Sequence, residues 1–203
     1  MNMKNVALLL MAIFVASCSS FKASRVDAEK SDEKAMEITD KWVRGDTERA
    51  VKQILAQMRK HRGYQRFIGK YKGVPKVFVA DVQNQTAEAY FPVDDMTDEL
   101  LNEISATGDF VLVDAKARDR ILKEIQYQND GMVDANSAKT IGKQVGADLM
   151  IFGAVYMKPH SRKGKTIKDY SVNLRLTDIE KGIEVMRTRA KISKYSKQSS
   201  SGW

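Results

Sequence analysis

The sequence predicts an α/β (α+β) fold: a single mixed β-sheet flanked by helices, in the order αβαβααβββ with a C-terminal antiparallel meander. Three observations carry this reading. Residues 142–157 look like the end of a helix, a glycine stop and one long, nearly all-apolar strand, as expected of a strand covered on both faces. Ahead of it, strand-like and helix-spaced apolar patterns alternate, which suggests a parallel crossover. Behind it, two half-polar alternating runs follow short turns and read as antiparallel neighbours.

The elements follow in order. Asp46-Thr47 offers an N-cap, and Ala50, Val51, Ile54, Leu55 and Met58 recur at helical spacing, so residues 47–61 form an amphipathic helix. His61 sits in its last turn as a surface residue, and Gly63 lets the helix stop. Tyr64, Phe67, Ile68 and Tyr71 make an aromatic connection inside the acid-free basic stretch 59–76. Aromatics among cations can stack bases, but more often they pack a loop onto its domain. Residues 75–82 form a strand followed by a turn at 84–86. Asp94 or Asp95 caps a helix through Met96, Leu100, Leu101 and Ile104, which Gly108 ends. A strand at 110–113 precedes a helix opened by Asp114, ending near 129–131, and a shorter helix over 137–145. The long apolar strand, 148–157, comes next. A basic turn at 158–166 leads to alternating strands over 168–178 and 183–195.

The N-terminus carries a different signal. Residues 1–17 combine a short basic start at Lys4 with an apolar run of about ten residues, which fits a signal segment and is too short to span a bilayer. That run ends in Val15-Ala16-Ser17-Cys18, small residues before the chain's one cysteine, resembling the bacterial lipoprotein box. Cleavage before Cys18 and acylation of its thiol would give a stable membrane anchor. By resemblance to Gram-negative lipoproteins, Ser19, in place of the aspartate that usually marks inner-membrane retention, implies the outer membrane with the domain facing the periplasm; surface display is the alternative orientation. Residues 18–45 are polar and read as a tether, roughly 90 Å long if extended and roughly 30 Å as a coil. The globular part is 46–195, and 196–203 form a flexible tail.

A net charge of +8 alone separates no class of partner. Export and anchoring argue against nucleic acid. A single cysteine excludes disulfides, zinc clusters and redox pairs within one chain. His61 and His160 lie far apart, and no phosphate-loop, dinucleotide or nucleophile-elbow motif occurs. Catalytic residues, metal ligands and cofactors are therefore not expected, and the chain does not read as an enzyme.

Landmarks in the globular part point to a family. They are Asp46-Thr47; Pro75-Lys-Val-Phe-Val-Ala-Asp-Val-Gln-Asn-Gln-Thr86; Thr107-Gly-Asp-Phe-Val-Leu-Val113; Ile121-Leu-Lys-Glu124; Ala138-Lys-Thr-Ile-Gly142; Gly146-Ala147-Asp148 with Gly153; and Leu174-Arg-Leu-Thr-Asp-Ile-Glu-Lys-Gly182. In this order and spacing they resemble the LpoB-type penicillin-binding protein activators, lipoproteins related in fold to TolB N-terminal and CsgG-like domains. The resemblance implies an outer-membrane lipoprotein that binds a class A penicillin-binding protein and stimulates peptidoglycan synthesis allosterically, by favouring an active synthase state. It also implies a partner-binding aromatic on the strand after the Gly-Ala motif. Phe152 takes that place, with Tyr156 nearby, although so apolar a strand favours a core role for Phe152. The tether is short beside the long Pro-rich one of enterobacterial members, so contact with a synthase demands a nearly extended chain. The same resemblance also fits a non-catalytic envelope scaffold or assembly lipoprotein.

Overall fold

The computed structural model describes residues 23–113 and 146–198. The expected helices beginning at Asp114 and over 137–145, the landmarks at 121–124 and 138–142, and Cys18 with its signal segment all lie outside those residues. Four helices are described: α1 Ala28–Ile38, α2 Arg44–Lys60, α3 Arg62–Lys70 and α4 Val93–Thr107. Six strands make one mixed sheet: β1 Lys76–Val79, β2 Gln83–Gln85, β3 Val111–Leu112, β4 Leu149–Arg162, β5 Lys165–Asp178 and β6 Ile183–Lys197. Their order is β3-β1-β4-β5-β6, with β2 also on β4. The strands β1, β2 and β3 pair in parallel, while β4, β5 and β6 form the antiparallel meander.

The main core lies between the sheet and the helices α2 and α4. Val51, Ile54 and Met58 of α2 and Met96, Leu100 and Ile104 of α4 meet Val77, Leu149, Ile151, Leu174 and Leu176. Both helices have apolar residues three and four apart, so each places one stripe on the sheet. A smaller cluster of Phe78, Ala80, Ala147, Met150 and Ile179 lies on the other face, with Phe152 packed against it. The chain end of β6 would leave an open sheet edge, a liability for pairing with other chains. Here α2 covers it: Gln57 donates to the Arg189 carbonyl at 2.8 Å and accepts from its N–H at 3.0 Å, and Gln53 accepts from Lys191 N–H at 3.4 Å.

Several elements differ from the sequence reading. Helix α2 begins at Arg44, with Val43 as N-cap; Asp46 is at the third helical position and accepts the Val43 N–H at 3.0 Å. Thr47 is buried and accepts from the Trp42 indole at 2.8 Å. The aromatic connection is itself a helix, α3, because His61 leaves helical geometry and its Nδ1 accepts the Gly63 N–H at 3.1 Å. Gly63 therefore does not end a helix; a Cβ there would meet the Val185 carbonyl at 2.2 Å, so the glycine permits close packing on β6. The strand expected over 75–82 ends at Val79, the Val82 N–H turns to the Thr97 hydroxyl at 3.1 Å, and the segment expected to turn at 84–86 instead begins with β2, Gln83–Gln85. Asp94 and Asp95 lie in the first turn of α4, where they suit the helix dipole, and Pro92 is the N-cap. Gly108 ends α4 at φ 70°, as expected.

The polar segment before residue 46 is held to the domain. Trp42 is buried and stacks near Phe91 and Tyr170, each with ring centroids 5.1 Å away. Asp46 forms a buried ion pair with Lys194 at 2.7 Å, and Lys194 also donates to the Lys41 carbonyl. Asp40 bridges Lys168 at 2.8 Å and Ser196 at 2.7 Å. β6 runs to Lys197, two residues beyond the expected strand, because Ser196 and Lys197 still pair with Thr166 and Lys165.

Candidate functional site

The sheet face opposite α2 and α4 is the candidate site. Side chains alternate across a strand, so Phe152, Ala154 and Tyr156 of β4 share this face, while Ile151 and Val155 point into the main core. Register places Phe152 beside Arg175 and Arg187, Ala154 beside Asn173 and Arg189, and Tyr156 beside Ser171 and Lys191. From the other side, β2 adds Gln83 next to Ala154 and Gln85 next to Tyr156. The result is a shallow cavity of about 470 Å³ with a floor of Gly153 and Ala154, an aromatic rim at Tyr156 and cationic walls at Arg175, Arg187 and Arg189.

The two aromatic residues singled out by sequence therefore stand on one face, four residues apart, in different settings. Tyr156 is 49 % exposed. Phe152 is half-buried: it packs on the smaller core cluster while the Arg175 guanidinium lies 5.0 Å from its ring centroid. A cation over a ring face is attracted by the ring quadrupole, so the pair presents a cationic, flat surface rather than an open hydrophobic one. Core packing and outward presentation are thus combined in this one side chain.

Polar contacts hold the cations in place. Arg189 Nε donates to Asn173 Oδ1 at 2.5 Å, and Asn173 donates to the Ser171 hydroxyl at 3.2 Å. Arg187 grips Glu184 through two nitrogens at 3.0 and 2.7 Å. That hydrogen-bonded pairing holds the Glu184 carboxyl below its ordinary value. The arginines were not singled out by sequence. Their positions alternate with Leu174, Leu176, Met186 and Thr188, which face the core, so outward placement was readable; their meeting with Phe152 required the register of two hairpins.

This arrangement suits docking. Among the described residues no group of three or more His, Cys, Asp or Glu side chains could hold a metal. The face offers planar cations, an aromatic ring and amide groups, the features that recognise a protein surface bearing carboxylates and an apolar patch.

Comparisons with known proteins agree with the fold. The C-terminal domain of LpoB from Salmonella enterica aligns with a TM-score of 0.52 at 15% identity, covering 72% of this chain and 98% of that one. The C-terminal domain of LpoB from Escherichia coli gives 0.49 at 18% identity, over 73% and 99%. Lipoprotein GNA1162 from Neisseria meningitidis gives 0.48 at 18% identity, over 63% and 88%. Only the first of these has a TM-score above 0.5, and at 15% identity it shows the fold alone. No curated protein matches the sequence. The family model described as peptidoglycan-synthase activator LpoB matches residues 46–192, well over half the chain, and the chain therefore belongs to the LpoB family of peptidoglycan-synthase activators.

Proposed function

We propose that this protein is an outer-membrane lipoprotein, acylated at Cys18 and facing the periplasm, that binds and activates a class A penicillin-binding protein. The family match over residues 46–192 carries the reading. The chemistry asked of the chain is binding, not bond cleavage. Activation requires that the docked domain prefer the active conformation of the synthase, since a ligand shifts an equilibrium only by its differential affinity for the two states. The outer sheet face around Phe152 and Tyr156 is the docking surface in this reading. Tyr156 supplies the exposed aromatic anchor, and Arg175, Arg187 and Arg189 supply the orienting charges.

The test is a glycan-polymerisation assay of the cognate class A synthase with the domain from residue 40 onward. A raised polymerisation rate is expected. Tyr156→Ala and Arg175→Ala should each weaken binding by about tenfold or more, the usual consequence of truncating an interface anchor. No change in rate together with no binding at micromolar protein would sink the proposal. Both substitutions leave the main core untouched, so loss of binding with an unchanged circular dichroism spectrum reports on the surface itself.

A further inference from the structure

Past Met157, β4 and β5 run on as a hairpin whose residues from Lys158 to Ile167 contribute nothing to either core cluster. Its tip breaks two rules of stable β-structure. Arg162, Lys165 and Lys197 stand side by side across three strands, although like charges directly opposite one another are destabilising. The turn itself places Lys163 at φ 50° and Gly164 at φ 71°. Such a turn favours Asn or Gly at its first position, and a lysine there gives up backbone preference for a charge. Among the described residues none of these four cations has a carboxylate partner. The next row on the same face is His160, Ile167 and Tyr195, with Ile167 42 % and Tyr195 55 % exposed. Ile38, at the end of α1, lies beside the same tip and is 85 % exposed.

We propose that this end of the sheet rests on an anionic phospholipid surface, with Arg162, Lys163, Lys165 and Lys197 at headgroup level and Ile167 and Tyr195 seated among them. Clustered cations with interspersed apolar and aromatic side chains are the composition that binds such an interface. The inference rests on the lipid anchor proposed above, and chain length supports it. With α1 docked through Asp32 to Arg49 at 2.9 Å, only residues 19–27 link Cys18 to the folded part. Nine residues span at most about 30 Å, so with α1 docked the domain is held beside the membrane that its anchor occupies, and the extended reach to a synthase requires α1 to be released. The proposed lipid contact is the far end of the same sheet face: Arg162 lies about 33 Å along β4 from Phe152 and about 20 Å from Tyr156. A domain resting on its tip therefore keeps the Phe152–Tyr156 region open to a partner.

The test uses the full, acylated chain in vesicles of phosphatidylcholine with or without phosphatidylglycerol, read by amine acylation at each lysine with Lys52 on α2 as reference. Phosphatidylglycerol should protect Lys163, Lys165 and Lys197 by about fivefold or more, and high salt should remove the protection. The variant Arg162→Glu/Lys163→Glu/Lys165→Glu should abolish protection at Lys197 without altering labelling of Lys52. Equal labelling in both vesicles, on a chain that stays bound through a carbonate wash, would overturn this inference alone. A chain that washes off would sink the anchor reading and this inference with it. Equal protection by soluble polyglutamate on phosphatidylcholine vesicles would also overturn it, because the surface would then be a general polyanion site.

Discussion

At the scale of single residues, Gly153 sets the geometry of the docking face. It lies between Phe152 and Ala154 on β4, directly across from Leu174. A Cβ at this position would sit 1.9 Å from the Asn173 carbonyl oxygen and 2.6 Å from a Leu174 methyl. The obstacle includes backbone of the neighbouring strand, so no rotamer change relieves it. Gly153→Ala must push β4 and β5 apart in the row that carries Asn173 and Arg175. A cost of about 2 kcal/mol is expected, comparable with other overpacked sites, and about 5 °C in Tm. Thermal unfolding followed by circular dichroism checks this; an unchanged Tm would mean that the strands can separate freely here. The sequence marked Gly153 as a landmark, and the structure supplies the reason, which is a backbone approach invisible without the strand pairing.

At the scale of elements, the antiparallel meander was the most legible part because its information is local, although the basic segment 158–166 expected as a turn is mostly strand, with β4 running to Arg162 and β5 starting at Lys165. Alternation in 168–178 and 183–195 assigns faces, and short turns leave few choices of neighbour. The segments between elements were less legible. A glycine after an amphipathic run reads as a stop, so Gly63 concealed α3; the deciding facts are the His61 cap and the nearness of β6, the latter a contact remote in sequence. Asp40 is similar, since a charged residue in a polar stretch gives no sign of its partners on β5 and β6. Its carboxyl is held below the ordinary value of 3.8, first by the Lys168 hydrogen bond and then by Ser196. A depressed carboxyl contributes stability that is fully present above its unfolded value and is lost as pH falls through the folded one. The Asp40 tie should therefore hold at neutral pH and loosen below about pH 4. Fluorescence of Trp42 in a Trp203→Phe background reads the change. Asp40→Asn should already be loosened at neutral pH and should lack the corresponding acid step; superimposable acid profiles for the two proteins would show that Asp40 carries no such linkage.

At the scale of the whole molecule, the question is where the folded unit begins. Composition assigns residues 18–45 to a tether and the family match starts at residue 46, yet the packing starts earlier. Trp42 closes the main core against Phe91 and Tyr170, and the Lys41 carbonyl and Asp46 carboxylate together satisfy the buried Lys194 ammonium. These contacts join the segment before α2 to the last strand of the sheet, so residues 41–46 and β6 are locked in one place. A lone tryptophan amid charges gives little periodicity to read, which is why this packing escaped the sequence. A chain beginning at Asp46 should consequently lose the Trp42 packing and leave Lys194 with one acceptor fewer. Removing a buried aromatic costs about 3–5 kcal/mol, a large part of the stability of an ordinary domain. A chain beginning at Asp40 keeps both features. Chemical denaturation of the two should give a lower midpoint for the shorter one, with the Trp42→Ala variant of the longer chain reproducing most of the difference. Equal midpoints would place Trp42 on the surface of the fold in solution, and would return the boundary to residue 46.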